Sequence, residues 1–375
     1  MGNLEGESRR VKPDGDLEGE NRRVKSDREL KEENQGAKLD MGLLEIGEGQ
    51  EKVGKGIVRA VCVSDVRGVE KHAVPEGHFL VDFGIEGDAH GGSWHRQVSL
   101  LSYDKVLAFN QKGADVGDGA FGENLVVEGI DFSALPVGTR LAAGTVILEM
   151  TQIGKECHSH CAIYQRMGEC IMPREGVFAK VIKGGIIRPG DKMEVSAPIL
   201  ERPFTAAVIV LSDKGASGER KDESGLKAKK MLEGAGYQVE ELLLLPDEPK
   251  LLKVQLIRLA DSRQVDLVLT SGGTGFSLRD QTPEATLAVA ERNAPGIAEY
   301  IRYRSMELTS RAMLGRGVSV IRKKTLIVNL PGSPKAVEES LGFILEPLEH
   351  GLKILRGSAS ECARRQLTDK IGWEN

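Results

Sequence analysis

A glycine-rich stretch at residues 270–275 contains the residue types that point most clearly to chemistry. It reads Thr-Ser-Gly-Gly-Thr-Gly and directly follows a short apolar run at residues 265–269, which is typical of a buried strand. Glycines in such a loop permit a tight turn and let backbone N–H groups approach an anion closely. The spacing matches neither the Walker A motif nor the dinucleotide fingerprint. The stretch therefore predicts a phosphate site of another kind, with a tight turn that binds no ligand as the alternative.

Two further loops are expected at the same edge of the sheet, because each follows an apolar run of its own. One begins at Ser212, after the run at residues 206–211, and the other covers residues 329–334. Both loops offer backbone N–H groups and short hydroxyls. We therefore expect three loops to converge on one phosphate-bearing ligand.

Two carboxylates accompany these loops. Asp247 follows a predicted strand over residues 239–245, and Asp280 follows the glycine-rich stretch. Mg²⁺ prefers one or two carboxylates together with phosphate oxygens, so we expect Asp247 and Asp280 to bind Mg²⁺. Such a metal would neutralise charge on a nucleotide triphosphate during phosphoryl or nucleotidyl transfer. Either aspartate could instead cap the helix that follows it.

A second cluster combines thiols and imidazoles. Residues 157–161 read Cys-His-Ser-His-Cys, and Cys170 follows nine residues later. Ligands of this kind at close spacing suggest a metal site, but a zinc ribbon needs two spaced pairs and only one is present. Structural zinc, buried inert thiols and a reactive or ligating cysteine therefore all stay open. Lys155, His158 and His160 would favour the thiolate form at one of the cysteines.

The elements that must position these groups fall into two patterns. From residue 54 to residue 196, short apolar runs are separated by glycine-containing turns, which predicts a β-barrel. From residue 204 to residue 360, apolar strands alternate with helical periods, which predicts a doubly wound α/β domain. Residues 197–203 are interpreted as a linker and residues 361–375 as a C-terminal tail.

The first 50 residues differ from the rest. They carry 13 acidic and 9 basic residues and contain no aromatic residue, and residues 3–14 recur with few changes as residues 16–27. A polar segment with a 13-residue repeat cannot bury enough apolar surface to fold, so it predicts a disordered acidic tail. A partner-docking arm is the alternative.

The composition of the 375-residue chain narrows the class of protein. A net charge of −5 argues against nucleic acid as the main partner, and no apolar run approaches the ~18 residues of a membrane span. The N-terminus lacks the apolar core of a signal peptide, and five cysteines are too few for a secreted disulfide framework. We therefore expect a cytoplasmic protein that binds neither nucleic acid nor a membrane.

The α/β segment, from residue 204 to residue 357, resembles the bacterial molybdopterin adenylyltransferases, which share this domain with gephyrin and the plant cofactor-insertion proteins. The matching motifs cover the segment in order: Ser212-Asp213, Gly218, Asp222, Ser224-Gly225, Pro246-Asp247-Glu248, residues 270–275, Arg279-Asp280, residues 282–286, Pro295-Gly296 and residues 329–334. The resemblance implies that the terminal phosphate of molybdopterin attacks the α-phosphorus of Mg-ATP and that pyrophosphate leaves. It also implies a homotrimer.

The same resemblance gives roles to individual residues. It makes Asp247 and Asp280 the catalytic pair on which turnover depends. The residues expected to bind molybdopterin, its phosphate or the nucleotide are Ser212, Asp213, Ser271, Gly272, Gly273, Thr274, Gly275, Glu284, Gly332 and Ser333.

The barrel segment, from about residue 56 to residue 195, resembles the MOSC domain, which is named after the C-terminal domain of molybdenum cofactor sulfurases. The matching motifs are residues 87–90, 95–100, 121–125 and Thr151-Gln152. The resemblance makes Cys157 the catalytic cysteine, which would hold either molybdenum or persulfide sulfur. It implies that His90, His95 and Arg96 line the same pocket and bind an anionic pterin phosphate or oxyanion, with simple loop hydrogen bonding as the alternative.

Both resemblances belong to one pathway. The leading hypothesis is an enzyme of molybdenum cofactor biosynthesis that adenylylates molybdopterin and whose MOSC domain binds, sulfurates or hands on the product. A non-catalytic carrier or storage protein and an assembly scaffold are the alternatives, and the presence of both Asp247 and Asp280 favours the enzyme. The expected protein partners are a molybdenum-insertion protein, molybdoenzymes and a sulfur donor. A separate sulfur donor is expected because sulfurases acquire sulfur through a pyridoxal-phosphate domain, for which we see no room in this sequence.

Overall fold

The structure, a computed structural model, describes residues 52–155 and 161–357. The repeat-bearing segment before residue 51, the residues Cys157, His158 and His160, and the predicted tail at 361–375 lie outside the described residues. Within the described parts of the chain, none of the helices is long and apolar enough to cross a membrane.

A seven-stranded closed barrel forms the N-terminal region, as predicted. Its elements are β1 (Lys52–Val63), β2 (His72–Val74), β3 (Gly77–Leu80), β4 (Gly84–Ile85), β5 (Val98–Ser102), α1 (Tyr103–Asn110), β6 (Leu125–Glu128), β7 (Arg140–Ala143), β8 (Val146–Ile153), α2 (Ala162–Met167), α3 (Met172–Glu175), β9 (Val177–Lys183), β10 (Gly185–Ile187) and β11 (Lys192–Ser196). The order around the barrel is β11-β7-β8-β9-β5-β6-β1, and β1 pairs back with β11. Strand β2 pairs antiparallel with the end of β1, while β3, β4 and β10 form a small separate sheet.

Aliphatic side chains fill the barrel, because alternate residues of each strand point inwards. Val58, Leu100, Leu125, Leu141 and Leu148 are among the fully buried side chains of this core. A core of this type needs few aromatic residues, in keeping with their 4% share of the chain.

The C-terminal region is a doubly wound α/β domain, also as predicted. Its elements are β12 (Thr205–Leu211), α4 (Asp213–Ala216), α5 (Ser224–Gly234), β13 (Gln238–Leu245), α6 (Pro249–Ile257), β14 (Leu267–Ser271), α7 (Thr282–Leu287), β15 (Arg292–Asn293), α8 (Pro295–Met306), β16 (Ser319–Arg322), β17 (Thr325–Leu330) and α9 (Pro334–Arg356). The strand order is β13-β12-β14-β17-β16-β15. The first four strands are parallel. Strand β16 pairs antiparallel with both β17 and β15. Separate hydrophobic cores cover the two faces of the sheet.

The carboxyl ends of the parallel strands lie side by side. Leu211 pairs with Leu245, and Ser271 pairs with Leu330, so the loops after β12, β13, β14 and β17 leave the sheet at one edge. Strand β12 lies between β13 and β14, so the chain moves to opposite sides of it after successive strands. Ligands of such sheets bind at this kind of switch point.

The segment between the two folds is held at the amino-terminal edge of the sheet. The guanidinium of Arg356, at the end of α9, donates to the carbonyls of Leu200 (2.8 Å) and Arg202 (2.6 Å). It also packs 4.1 Å from the ring centre of Phe204. These contacts anchor the chain as it enters β12.

The barrel also contacts the amino-terminal edge. Arg263, which precedes β14, donates to the carbonyl of Thr151 in β8 at 2.5 Å, and the N–H of Val137 donates to Gln264 Oε1 at 3.0 Å. The loops at the carboxyl ends of the strands therefore lie at the edge of the sheet opposite to this contact.

Candidate functional site

A cleft of about 570 Å³ lies at the carboxyl edge of the parallel strands. It brings together seven of the residues that the sequence analysis assigned to the phosphate or metal site: Ser212, Asp247, Gly272, Gly273, Asp280, Gly332 and Ser333. The three loops predicted to converge therefore contribute to one cleft.

The glycine-rich loop is packed too tightly for side chains. Gly272 and Gly273 have φ values of +107° and +63°, in the region that favours glycine. A Cβ on Gly272 would lie 2.4 Å from the carbonyl oxygen of Leu211, and one on Gly273 would lie 2.3 Å from Thr282 Oγ1. The loop thus keeps its backbone directly against the neighbouring elements.

The serine hydroxyls at this edge have structural partners. Ser212 caps α4 by accepting from Gly215 N–H at 3.1 Å, and Ser333 caps α9 by accepting from Ala336 N–H at 3.2 Å. The Ser271 hydroxyl donates to the carbonyl of Pro331 at 3.0 Å and so joins two of the loops. These bonds shape the cleft and orient the amino terminus of a 23-residue helix, α9, towards it.

Asp247 does not cap the helix that follows it, and its side chain bonds instead to the first residue of α4. The N–H of Asp213 donates to Asp247 Oδ2 at 3.1 Å, and the N–H of Asp247 donates to Asp213 Oδ1 at 2.9 Å. The N-cap of α6 is Glu248, which makes no side-chain cap. This exchange of hydrogen bonds fixes the amino terminus of α4 to the loop after β13.

Asp280 closes its own loop. Its Oδ2 accepts from the N–H of Ser277 at 3.0 Å, while the N-cap of the following helix is Gln281. A Cβ on Gly275 would lie 2.8 Å from the same carboxylate oxygen. The Asp280 side chain is therefore held against the glycine-rich loop, and it does not cap the helix that follows.

The electrostatics of the pair suit a divalent cation. Burial raises the pKa of the Asp247 carboxyl, and the charges of Asp213 and Asp280 act in the same direction. Within residues 52–155 and 161–357, no three His, Cys, Asp or Glu side chains are grouped as a metal cage would require. A metal at Asp247 and Asp280 would take its other ligands from phosphate oxygens and water, which is the usual coordination of Mg²⁺.

Two arginines that the sequence analysis did not assign hold the loops in place. Arg279 donates to both carboxylate oxygens of Asp213 at 2.8 Å and to Glu248 at 3.0 Å. Arg316 donates to the carbonyl of Gly275 at 2.7 Å.

Arg316 also donates to the carbonyl of Asp280 and to the Glu284 carboxylate. Glu284, predicted to contact the substrate, is thus an ion-pair partner in this structure. Arg316 lies 36 residues after Asp280 in a segment without a motif, so no sequence signal could have identified it.

In the barrel, His90 and His95 line different cavities. His90 lines a cavity of about 250 Å³ together with Lys155, Cys161 and Cys170. His95 lines another cavity, which also includes Arg263 of the α/β domain. The sequence analysis expected the two histidines to line the same pocket. The structure instead places them in two separate cavities.

The side chains of His95 and Arg96 differ in charge. Burial, helped by the charge of Arg263, lowers the pKa of His95 to about 4, so its imidazole is neutral near pH 7. It hydrogen-bonds to Gln152 Oε1 at 3.0 Å. The guanidinium of Arg96 packs over Trp94 at 4.8 Å and over Phe178 at 5.6 Å. A neutral His95 cannot offer positive charge to a phosphate.

A buried polar network supports the loop that carries His90. Lys71 and Asp88 form an ion pair at 2.6 Å, and both side chains are 1% exposed. Asp88 also accepts from the Asn124 amide at 3.0 Å and from the backbone N–H of His90 at 2.9 Å. Asp88 and Asn124, which contribute to the barrel motifs, are thus structural in this fold.

The cysteines of the described residues differ in exposure. Burial raises the pKa of the Cys62 thiol to about 12, so this thiol is inert. Cys161 is exposed and Cys170 is half-buried. Cys157 itself lies outside the described residues, between Lys155 and Cys161 along the chain.

Comparison with known proteins identifies two families along the chain. Residues 207–350 match the family described as a probable molybdopterin binding domain, and residues 87–194 match the MOSC domain.

Individual relatives match the α/β part of the chain. The molybdopterin adenylyltransferase of Escherichia coli K12 is 43% identical over 136 residues, which are 36% of this chain and 70% of the relative. The molybdopterin adenylyltransferase of Helicobacter pylori J99 is 36% identical over 164 residues, which are 43% of this chain and 92% of the relative. The crystal structure of the molybdopterin biosynthesis enzyme MoaB from Thermus thermophilus shares 44% identity and covers 41% of this chain and 97% of its own, with a TM-score of 0.40.

Proposed function

The chain belongs to the molybdopterin adenylyltransferase family, and on that premise we propose that its α/β domain adenylylates molybdopterin in molybdenum cofactor biosynthesis. In this reaction a terminal phosphate oxygen of molybdopterin bonds to the α-phosphorus of ATP. The bond from the α-phosphorus to the bridging oxygen breaks, and pyrophosphate leaves with its electron pair. The observation that carries the proposal is the presence of Asp247 and Asp280 beside the glycine-rich loop in one cleft.

The chain's own groups have distinct tasks in this proposal. Gly272 and Gly273 let the backbone approach a phosphate, and the N-terminus of α9 at Ser333 adds a favourable dipole. Asp247 and Asp280 would hold Mg²⁺, which supplies charge neutralisation on the triphosphate when it is bound. Arg279 and Arg316 keep the loops in the geometry that places both aspartates.

The barrel would bind the cofactor or accept sulfur through Cys157 in the same proposal. Two observations support it. One cavity is lined by His90, Lys155, Cys161 and Cys170, and the chain between Lys155 and Cys161 carries Cys157. A cationic side chain and thiols in one cavity suit an anionic, thiophilic group. A sulfur donor and a cofactor-accepting protein would be the partners of this part.

A homotrimer is part of the proposal. Phe276 and Leu278, in the loop after β14, are 70% and 94% exposed, and Met313 is 66% exposed. In a trimer, a neighbouring chain would cover these side chains.

Anaerobic incubation of the purified chain with molybdopterin and Mg-ATP tests the adenylylation directly. We expect adenylylated molybdopterin and pyrophosphate in equal amounts, with no product when the metal is removed by a chelator. Tight binding of the pterin without pyrophosphate release would reject the transferase and favour the carrier hypothesis.

A further inference from the structure

Two cations line the adenylylation cleft and belong to none of the motifs. Arg220 and Lys221 lie in the segment between α4 and α5, and both line the 570 Å³ cleft together with Asp247 and Asp280. This segment leaves the sheet after β12, at the switch point where ligands of such folds bind.

The side chain of Arg220 is directed towards the end of β12. Its terminal nitrogen lies 3.4 Å from Ser212 Oγ, and its backbone N–H donates to the carbonyl of Lys214 at 3.0 Å. The adjacent acid, Asp222, accepts from the N–H of Gly225 at 2.9 Å and from the Ser224 hydroxyl at 3.2 Å, and so it is engaged at the start of α5.

Arg220 and Lys221 differ in their ion pairing from the other cations at this edge of the sheet. Among the residues that the structure describes, neither side chain forms an ion pair, whereas Arg279 pairs with Asp213 and Arg316 pairs with Glu284. The cleft thus contains two cations without an ion-pair partner among the described residues. The carboxylates that line it with them are Asp222, Glu223, Asp247 and Asp280.

This pattern matches a metal-bound phosphate chain. A divalent metal held by Asp247 and Asp280 would offset only part of the negative charge of the phosphate groups. Oxygens that do not face the metal need donors of another kind, and arginine and lysine are the usual phosphate-binding side chains.

We propose that Arg220 and Lys221 bind phosphate oxygens of a substrate in this cleft and so set its affinity for that substrate. This inference rests on the proposed adenylylation. Two substrates could supply the phosphate, namely ATP through its β- and γ-phosphates and molybdopterin through its terminal phosphate.

The test uses the full chain with single substitutions that remove one charge: Arg220→Gln and Lys221→Gln. Lys250→Gln is the matched control, because Lys250 is an exposed cation on α6 that does not line the cleft. The KM values for Mg-ATP and for molybdopterin are measured separately. Isothermal titration with Mg-ATP carrying a non-transferable α,β-methylene bridge gives the nucleotide Kd without turnover.

Loss of a hydrogen bond to a charged group should raise the KM of one substrate about 10-fold or more, with a smaller change in kcat. Lys250→Gln should change either KM by less than about two-fold, because exposed charges outside the cleft are screened. Arg220→Lys should recover part of the loss, because it keeps the charge but not the planar fork.

A raised KM and Kd for the nucleotide would assign the cations to the ATP phosphates, and a raised KM for molybdopterin alone would assign them to the pterin phosphate. Unchanged KM values for both substrates would overturn the inference. If the wild-type chain forms no product, the proposed function fails separately. Titrations with the methylene analogue and with molybdopterin then decide the inference, and Kd values for both ligands equal to those of the control would overturn it.

Discussion

Replacing Arg263 with alanine should uncouple the unfolding of the barrel from that of the α/β domain. The Arg263 side chain is 3% exposed and donates to the carbonyl of Thr151 in the barrel at 2.5 Å. It also donates to Glu241 at 3.0 Å and to Glu240 at 2.8 Å within the α/β domain. One buried guanidinium therefore bonds to both folds.

The expected loss of stability depends on the carboxylates of Glu240 and Glu241, which lose their partner when Arg263 is replaced. Removing one partner of a buried ion pair costs about 3–5 kcal/mol, because the remaining charge stays desolvated. Glu240 and Glu241 are 20% and 14% exposed, and Glu241 keeps its contact with Arg258 at 3.0 Å. We therefore expect a loss near the lower limit, about 3 kcal/mol in the free energy of unfolding.

Urea unfolding with two probes measures this loss and the uncoupling. Trp94, which lines the cavity beside Arg263, reports the barrel by fluorescence. The second tryptophan of the chain, Trp373, is removed in a Trp373→Phe background. Circular dichroism at the helix band reports the α/β domain, which contains most of the helical residues that the structure describes.

Arg304→Ala is the matched control. Arg304 pairs with Glu307 on the surface, where the side chains are 38% and 51% exposed, so its loss should cost about 0–1 kcal/mol. The two probes should give one midpoint in the wild type and in the control, and separate midpoints in Arg263→Ala. The role of Arg263 would be refuted if both probes gave the same midpoint for Arg263→Ala and its free energy of unfolding equalled that of the control.

Three further predictions concern the cleft and the barrel. Gly273→Ala should abolish adenylyl transfer, because its Cβ would lie 2.3 Å from a hydroxyl oxygen. The control Gly342→Ala, whose Cβ meets nothing within 4 Å, should keep normal rates in the same assay. Arg316→Lys should lower kcat about 10-fold with little change in KM, because one amine cannot bond to both the Asp280 carbonyl and the glycine-rich loop. Steady-state kinetics measures both constants, and an unchanged kcat would contradict this role. Burial lowers the folded-state pKa of His95 from 6.5 to about 4, so the unfolded chain takes up the proton first and stability should fall as pH drops through this window. His95→Gln should flatten that dependence in unfolding experiments between pH 6.5 and 4, and an unchanged slope would contradict the assignment.

The loops at the carboxyl edge of the sheet could be predicted because they depend on short stretches of sequence. Continuous apolar runs give buried parallel strands, and the loops after parallel strands must share an edge. The glycines at 272 and 273 marked the loop, since their backbone conformation and close contacts exclude side chains. Asp247 was found by its position after β13, and Asp280 by its position after the glycine-rich stretch.

The remaining parts depend on contacts between residues that are distant in sequence. Arg316 reaches the loop of Asp280 from 36 residues away, and a periodic pattern does not encode such a contact. His90 and His95 are close in sequence, but His90 turns back to Asp88 while His95 faces Gln152 of β8. The path of the loop between them decides the pocket, and that path is set by tertiary packing.

The central claim is that Asp247 and Asp280 support adenylyl transfer in the cleft. The most direct test compares single-turnover formation of adenylylated molybdopterin by the wild type, Asp247→Asn, Asp280→Asn and the surface control Glu338→Gln, with the Kd of molybdopterin measured on the same samples. We predict product from the wild type and the control only, with similar molybdopterin Kd values for all four proteins. Product at the wild-type rate from either aspartate variant would contradict the claim.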